Sequence, residues 1–188
     1  MRTEEFSRIL HGEQEHHRRL LILGALLSKE SGLGTEGMTV VGGSALEIYT
    51  QGDYVSGDAD IVAESEKMLT DALQSWGFHR EGMYWVHPEF RDLFVQFVGR
   101  YYSGSENLTR IVDTLYGSVR LGAIEDLVVK RLVGARHWDR PEMFAEAELA
   151  VRRFGREMDW KYVEAQAKKE GVVDLVERVR GRTGPSTR

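Results

Sequence analysis

The chain has 188 residues, no cysteine and a formal net charge of −5. That length suits one domain, or an α/β domain with a helical appendage, and an apolar content of 41% is ordinary for a protein with a real core. The missing cysteines exclude disulfides, thiolate zinc sites and a cysteine nucleophile, while the acidic balance argues against a broad, sequence-independent grip on nucleic acid and leaves room for a local basic patch.

In chain order, residues 4–30 read as one helix. Leu20, Leu23 and Leu27 follow the spacing of a core face, and Ile22 and Leu26 widen it. The run Leu20 to Leu27 is eight residues long, far short of the roughly 20 that span a bilayer. Glu4, Glu5, Glu13 and Glu15 precede it and Ser28-Lys29-Glu30 follows, which is not the pattern of a secretory signal. A cytoplasmic chain with no membrane partner is expected. Glu13 to Arg19 is polar and expected in solvent, and the adjacent His16 and His17 diverge on a helix, so they do not suit a shared metal.

Ser31 to Gly37 is a glycine-rich loop. Met38 to Val41 reads as a short buried strand, Ser44 to Thr50 as a short helix, Gln51-Gly52-Asp53 as a turn and Asp58 to Val62 as a second strand. Ser65 is the expected N-cap of a helix reaching Trp76, with Met68, Leu69, Ala72 and Leu73 inward and Gly77 as its stop. Tyr84 to Val86 and Leu93 to Val98 read as a hairpin joined through His87-Pro88-Glu89, the second strand apolar on both faces. Ile111 to Leu115 and Ser118 to Leu121 supply two more strands.

From Gly122 the pattern turns helical. One helix opens with Glu125 and Asp126 in its first turn, where the dipole favours acids, and others cover 142–154, 160–169 and 172–180. Between the first two, His137 to Pro141 reads as a capped turn with Trp138 in the core, or as a cleft-lining loop. Arg178, Arg180, Arg182 and Arg188 form a basic end with no acid after Glu177. The fold class is therefore α/β (α+β), a small mixed sheet flanked by helices, with a core over 1–123 and a helical region over 124–188.

Two short stretches carry chemistry. Gly42-Gly43-Ser44 stands between a strand and a helix start, where glycines let backbone amides approach a ligand and the helix N-terminus favours phosphate. Asp58 and Asp60 open the next strand two apart, so both project from one face while Ala59 and Ile61 enter the core. Paired carboxylates there call for a shared hard cation, and Mg²⁺ also binds phosphate-bearing substrates.

The segments Val41-Gly42-Gly43-Ser44-Ala45-Leu46 and Tyr54-x-Ser56-Gly57-Asp58-Ala59-Asp60-Ile61, fifteen residues apart from Gly43 to Asp58, together resemble the nucleotidyltransferases of the DNA polymerase β superfamily. More narrowly they are similar to the small stand-alone prokaryotic branch related to AbiEii-type nucleotidyltransferase toxins. Ile124-Glu125-Asp126-Leu127 and Lys130-Arg131 resemble the helix after the sheet in that branch. The resemblance implies a nucleotidyltransferase fold that moves a nucleoside monophosphate from a nucleoside triphosphate to an acceptor: RNA, protein or a small molecule. Asp58 and Asp60 would be catalytic and hold Mg²⁺ (or Mn²⁺). Gly42, Gly43 and Ser44 would cradle the β- and γ-phosphates, Ser56 would belong to the nucleotide site and Lys130 would contact the triphosphate, although Lys130 also stands i,i+4 from Asp126 as in an ordinary helix pair.

A toxin–antitoxin role, with an antitoxin or a homo-oligomer as partner, is also implied. Two positions depart from the pattern. Tyr54 stands where many relatives carry arginine. The third carboxylate of the family falls at Gln96, a neutral amide that takes no proton, or at Glu89 or Asp92 if the register differs, Asp92 being the better placed because it and Gln96 are evenly spaced on one strand. The alternative reading is a nucleotidyltransferase-fold binding module without turnover.

Overall fold

A computed structural model describes residues 1–183. The chain forms two units, Met1–Gly122 and Ala123–Arg188.

The first unit is a seven-stranded mixed sheet with helices. Its helices are α1 (Thr3–His11), α2 (His16–Glu30), α3 (Gly34–Gly37), α4 (Gly42–Thr50) and α5 (Glu66–Ser75). Its strands are β1 (Met38–Val41), β2 (Ala59–Ala63), β3 (His79–Glu81), β4 (Tyr84–Val86), β5 (Phe94–Gly99), β6 (Arg110–Thr114) and β7 (Gly117–Leu121), in the spatial order β3-β4-β5-β2-β1-β7-β6. The pairs β2–β5 and β1–β7 are parallel and the rest antiparallel. The mixed α/β class read from the pattern is what the chain adopts.

The expected single helix over 4–30 is two. The polar stretch after Gly12 breaks it, because the Glu13 carboxylate accepts the backbone N–H groups of Gln14 (2.8 Å) and Glu15 (3.0 Å), and Arg19 Nε donates to the Glu13 carbonyl (2.7 Å). Those local bonds compete with the helix ladder and win. Phe6 of α1 then stacks on Trp76 (4.7 Å between centroids) beside Phe78, His87 and Phe90. His87, given no partner by its sequence setting, is buried there; burial lowers its pKa, and Nε2 bonds the Trp76 carbonyl at 3.0 Å.

Ser65 caps α5 as expected, accepting from the Met68 N–H at 3.3 Å. Met68 itself, expected inward, is 40% exposed, while Leu69, Ala72 and Leu73 are buried. The hairpin pairing of β4 with β5 holds, but β3 extends the sheet outward at a stretch, His79-Arg80-Glu81, whose charged residues hid it. On β5 only Val95 is fully enclosed and Val98 is exposed, so the strand is not apolar-covered on both faces.

The second unit is helical: α6 (Ile124–His137), α7 (Glu142–Phe154), α8 (Trp160–Glu170) and α9 (Val173–Thr183). Leu127, Val128, Leu132, Met143, Ala147, Val151, Val163, Ala167, Val176 and Val179 form its core. Glu125 and Asp126 do more than favour a helix start: both are buried, Glu125 accepting from the Asp159 N–H (3.0 Å) and Asp126 from the Tyr162 hydroxyl (2.7 Å). Trp138 is 58% exposed instead of packed, and Asp139, at φ 53°, does not cap α7, whose N-cap residue is Pro141. Of the basic end, Arg178, Arg180 and Arg182 lie on α9, and Arg188 lies outside the described residues. No helix among the described residues is long and apolar enough to cross a membrane.

Candidate functional site

β1 ends at Val41, and α4 starts directly at Gly42, two residues before the expected start at Ser44. Two features demand glycine in this turn. Gly42 has φ +61°, a left-handed conformation that costs a side-chain-bearing residue energy, and a Cβ there would lie 2.0 Å from Asp60 Oδ2. A Cβ on Gly43 would lie 2.5 Å from Ser56 Oγ. The glycine pair is thus the floor on which the acidic strand and its preceding loop rest.

Asp60 is the second residue of β2, and Asp58 lies just before the strand, a correction to its expected place inside it. Ala59 and Ile61 are buried, as the alternation requires, and Asp58 and Asp60 are half-exposed. The Asp60 carboxylate sits against the N-terminus of α4, where the helix dipole favours negative charge. Burial raises the Asp58 pKa, opposed by its hydrogen bond from Ser56, and no described cation pairs with it. A carboxylate desolvated without a counter-charge is disposed to gain one.

The hydroxyls of Ser44 and Ser56 both bond to backbone. Ser44 is fully buried: its hydroxyl donates to the Val41 carbonyl (2.9 Å) and accepts from the Asp60 N–H (3.1 Å). That geometry makes Ser44 a clamp that ties the Asp60 backbone to α4. Ser56, also buried, donates from Oγ to the Asp58 carbonyl at 3.0 Å and so shapes the loop.

Strand register shows which residue lies beside Asp60. Asp60 is paired with Val41 on one side and Gln96 on the other, and Gln96 in turn with Tyr84, so these four residues form one row across β1, β2, β5 and β4. Gln96 Nε2 bonds Met83 Sδ at 3.6 Å. Asp92 stands outside β5, so it does not share the face of Gln96 as a strand continuation would require, and its carboxylate is engaged by Arg19 Nη1 at 3.0 Å. Among the described residues no group of three His, Asp or Glu side chains is arranged to hold a metal. Lys130 lies exposed on α6 in the second unit. Its expected i,i+4 partner Asp126 is buried against Tyr162 instead, and Lys130 has no ion-pair partner among the described residues.

One residue that shapes the candidate site was missed from the sequence. Glu47 is fully buried in α4, with Oε2 accepting from the Ser56 N–H and Oε1 bonded to His16 Nδ1, both at 2.6 Å. His16 Nε2 reaches the Asp92 carbonyl at 3.0 Å, so His16 is a tie between α2, α4 and the loop before β5, not a fully solvated residue. The signal was present: a lone acid in the otherwise apolar run Ala45-Leu46-Glu47-Ile48-Tyr49.

Burial by itself lowers the His16 pKa, but the Glu47 hydrogen bond, the Asp92 carbonyl and the charges of Glu47 and Asp92 outweigh it, and the net shift is upward from 6.5. A group whose pKa is raised by folding stabilises the fold most below its unfolded value and loses that contribution as pH rises through the folded value. The stability advantage of the wild type over His16→Gln is therefore expected to be greatest below pH 6.5 and to shrink at alkaline pH, as read by urea unfolding at several pH values. An advantage that grows with pH would contradict the ion pair.

Comparison with protein-family models and with curated proteins finds no match.

Proposed function

We propose that the chain binds a nucleoside triphosphate with a divalent cation at Asp58, Asp60 and the N-terminus of α4, and transfers its nucleoside monophosphate to an acceptor hydroxyl. The observation that carries this reading is the convergence of a glycine turn, a helix N-terminus and two acids on one strand end, with the Asp60 carboxylate lying where a Gly42 Cβ would be. The motif resemblance to polymerase β-like nucleotidyltransferases supports the same reading, and with it a cytoplasmic setting.

The donor set fits one Mg²⁺ or Mn²⁺. Mg²⁺ is ordinarily held by one or two carboxylates together with substrate phosphates and water, which Asp58 and Asp60 satisfy. A second ion would need donors that the row lacks, because Gln96 offers one neutral carbonyl oxygen. When bound, such an ion neutralises phosphate charge and orients the triphosphate. The protein's own contributions are narrower. Gly42 and Gly43 leave room for the Asp60 carboxylate and the Ser56 hydroxyl against the start of α4, Ser44 and Glu47 fix the backbones of Asp60 and Ser56, and the helix dipole favours negative charge at the site. In the transfer, the acceptor hydroxyl gives up its proton to solvent, its oxygen bonds to the α-phosphorus, the bond from that phosphorus to the bridging oxygen breaks, and pyrophosphate leaves.

A second reading is favoured by one specific observation. Gln96 occupies the place opposite Asp60 and cannot take the acceptor's proton, which suits a module that binds nucleotide without turnover. Incubation with Mg²⁺, α-labelled triphosphates and total RNA or cell lysate separates the two. Label transfer by the wild type and its loss in Asp58→Ala/Asp60→Ala is the expected result. Equal labelling by both proteins would refute the enzyme reading, and no labelling despite intact nucleotide binding would leave the binding module.

A further inference from the structure

The arginines of the second unit gather at one place that the reading above does not use. A cavity of about 440 Å³ lies between the end of α7, the turn after it and α9, lined by Arg152, Arg153, Arg156, Arg180 and Trp160 and by no acidic residue. Its volume is in the range of small-ligand sites. The surrounding charge points the same way: Ala123 to Arg188 holds 14 Lys and Arg against 12 Asp and Glu, whereas residues 1–122 hold 11 against 18. The acidic net charge of the chain thus belongs to the first unit.

We propose that this cavity binds the phosphodiester backbone of a single-stranded nucleic acid. Arg156 has no ion-pair or hydrogen-bond partner among the described residues. Arg152 is 68% exposed and meets Glu148 at 3.7 Å, and Arg180 is 52% exposed and meets Glu164 at 2.8 Å. The Arg180 pair is exposed on both sides and contributes little to stability. Glu148 is also met by Arg182 at 3.5 Å, so its loss of the longer Arg152 contact leaves it paired. Both guanidinium groups can therefore exchange a carboxylate for a phosphate. Their planar forks match phosphate oxygens in pairs. Trp160 adds a flat surface: its indole N–H donates to the Gly155 carbonyl at 2.7 Å, which fixes the ring, and Arg180 lies 4.7 Å from the ring centroid. A fixed aromatic ring beside guanidinium groups is the pairing by which single strands are held, bases stacking while phosphates meet arginine. A concave site suits a strand better than a lipid surface, which would need these groups on a protruding face.

The site neither contains Asp58 or Asp60 nor depends on nucleotidyl transfer. The test is fluorescence anisotropy of the full chain with labelled oligouridine and oligodeoxythymidine across a salt series. Parallel measurements use Arg152→Glu/Arg156→Glu, Arg152→Lys/Arg156→Lys and Asp58→Ala/Asp60→Ala, with thermal melts to confirm folding. The wild type is expected to bind both strands, since backbone contact ignores the base. Charge reversal is expected to weaken binding at least tenfold and to flatten the dependence of log K on log salt by about 1.4, at about 0.7 per lost phosphate contact. The lysine variant should keep the salt slope, and the Asp58/Asp60 variant should bind as the wild type does. Absence of strand binding by the wild type, unchanged binding on charge reversal, or capture by anionic-lipid vesicles without strand binding would each overturn the proposal.

Discussion

Gly42→Ala is expected to be among the most damaging single substitutions in the first unit, although it adds one methyl group at a half-buried position. The left-handed backbone costs a non-glycine residue about 1–2 kcal/mol, and Gly42 has φ +61°. The added Cβ would also overlap Asp60 Oδ2 at 2.0 Å, with Asp60 Cγ at 2.9 Å, so the carboxylate must be driven off the α4 N-terminus. Overpacking of this kind adds about 1–3 kcal/mol. A combined loss of about 2–5 kcal/mol in urea unfolding, with loss of any nucleotide binding, is the expected result. Gly57→Ala is the control. It lies one residue before Asp58 but meets nothing within 4 Å, so its effect should stay within about 0.5 kcal/mol. Equal stability of the two variants would contradict the close approach of Asp60.

Glu47→Ala is the second large effect. The carboxylate is fully buried and satisfies two groups, the Ser56 N–H and His16 Nδ1, each at 2.6 Å. Removing it leaves the buried Ser56 amide without its acceptor and the half-buried His16 ring without its partner. Leaving a buried donor unsatisfied costs about 1–3 kcal/mol, to which the lost His16 bond adds. Amide exchange provides the local readout: the Ser56 N–H should lose protection more than amides of β1. His16→Gln and Glu47→Ala should be non-additive, because each removes the same pair. Additive losses would show that Glu47 acts through packing alone.

Both predictions bear on how much of this protein was legible in the sequence. Binary pattern placed most elements of the sheet and all four helices of the second unit, because their apolar residues recur with helix or strand period. The Gly-Gly turn and the acidic strand end were also legible, since those residue types have few other uses together. What escaped was set by side chains bonding to distant or local backbone. Glu13 broke the first helix by satisfying two amides, a competition invisible to periodicity. The β3 strand carries three exposed residues and no alternation. Ser44, Ser56 and His16 looked like surface or ligand-contacting polar groups, and each proved to be buried or half-buried and committed to another backbone. The third position turned on pairing register, which one chain of residues does not state. Only the strand pairing shows that Gln96, and not Asp92, lies beside Asp60.

The central claim is that Asp58, Asp60 and the start of α4 form one cation-dependent triphosphate site. Calorimetric titration of the full chain with a non-hydrolysable nucleoside triphosphate, with Mg²⁺ and with chelator, tests it most directly, alongside Asp58→Asn/Asp60→Asn. The account predicts saturable binding to the wild type that requires Mg²⁺ and is lost in the variant, while the variant melts as a folded protein. Binding that persists in the variant, or that is indifferent to Mg²⁺, or that is absent from the wild type, would contradict it.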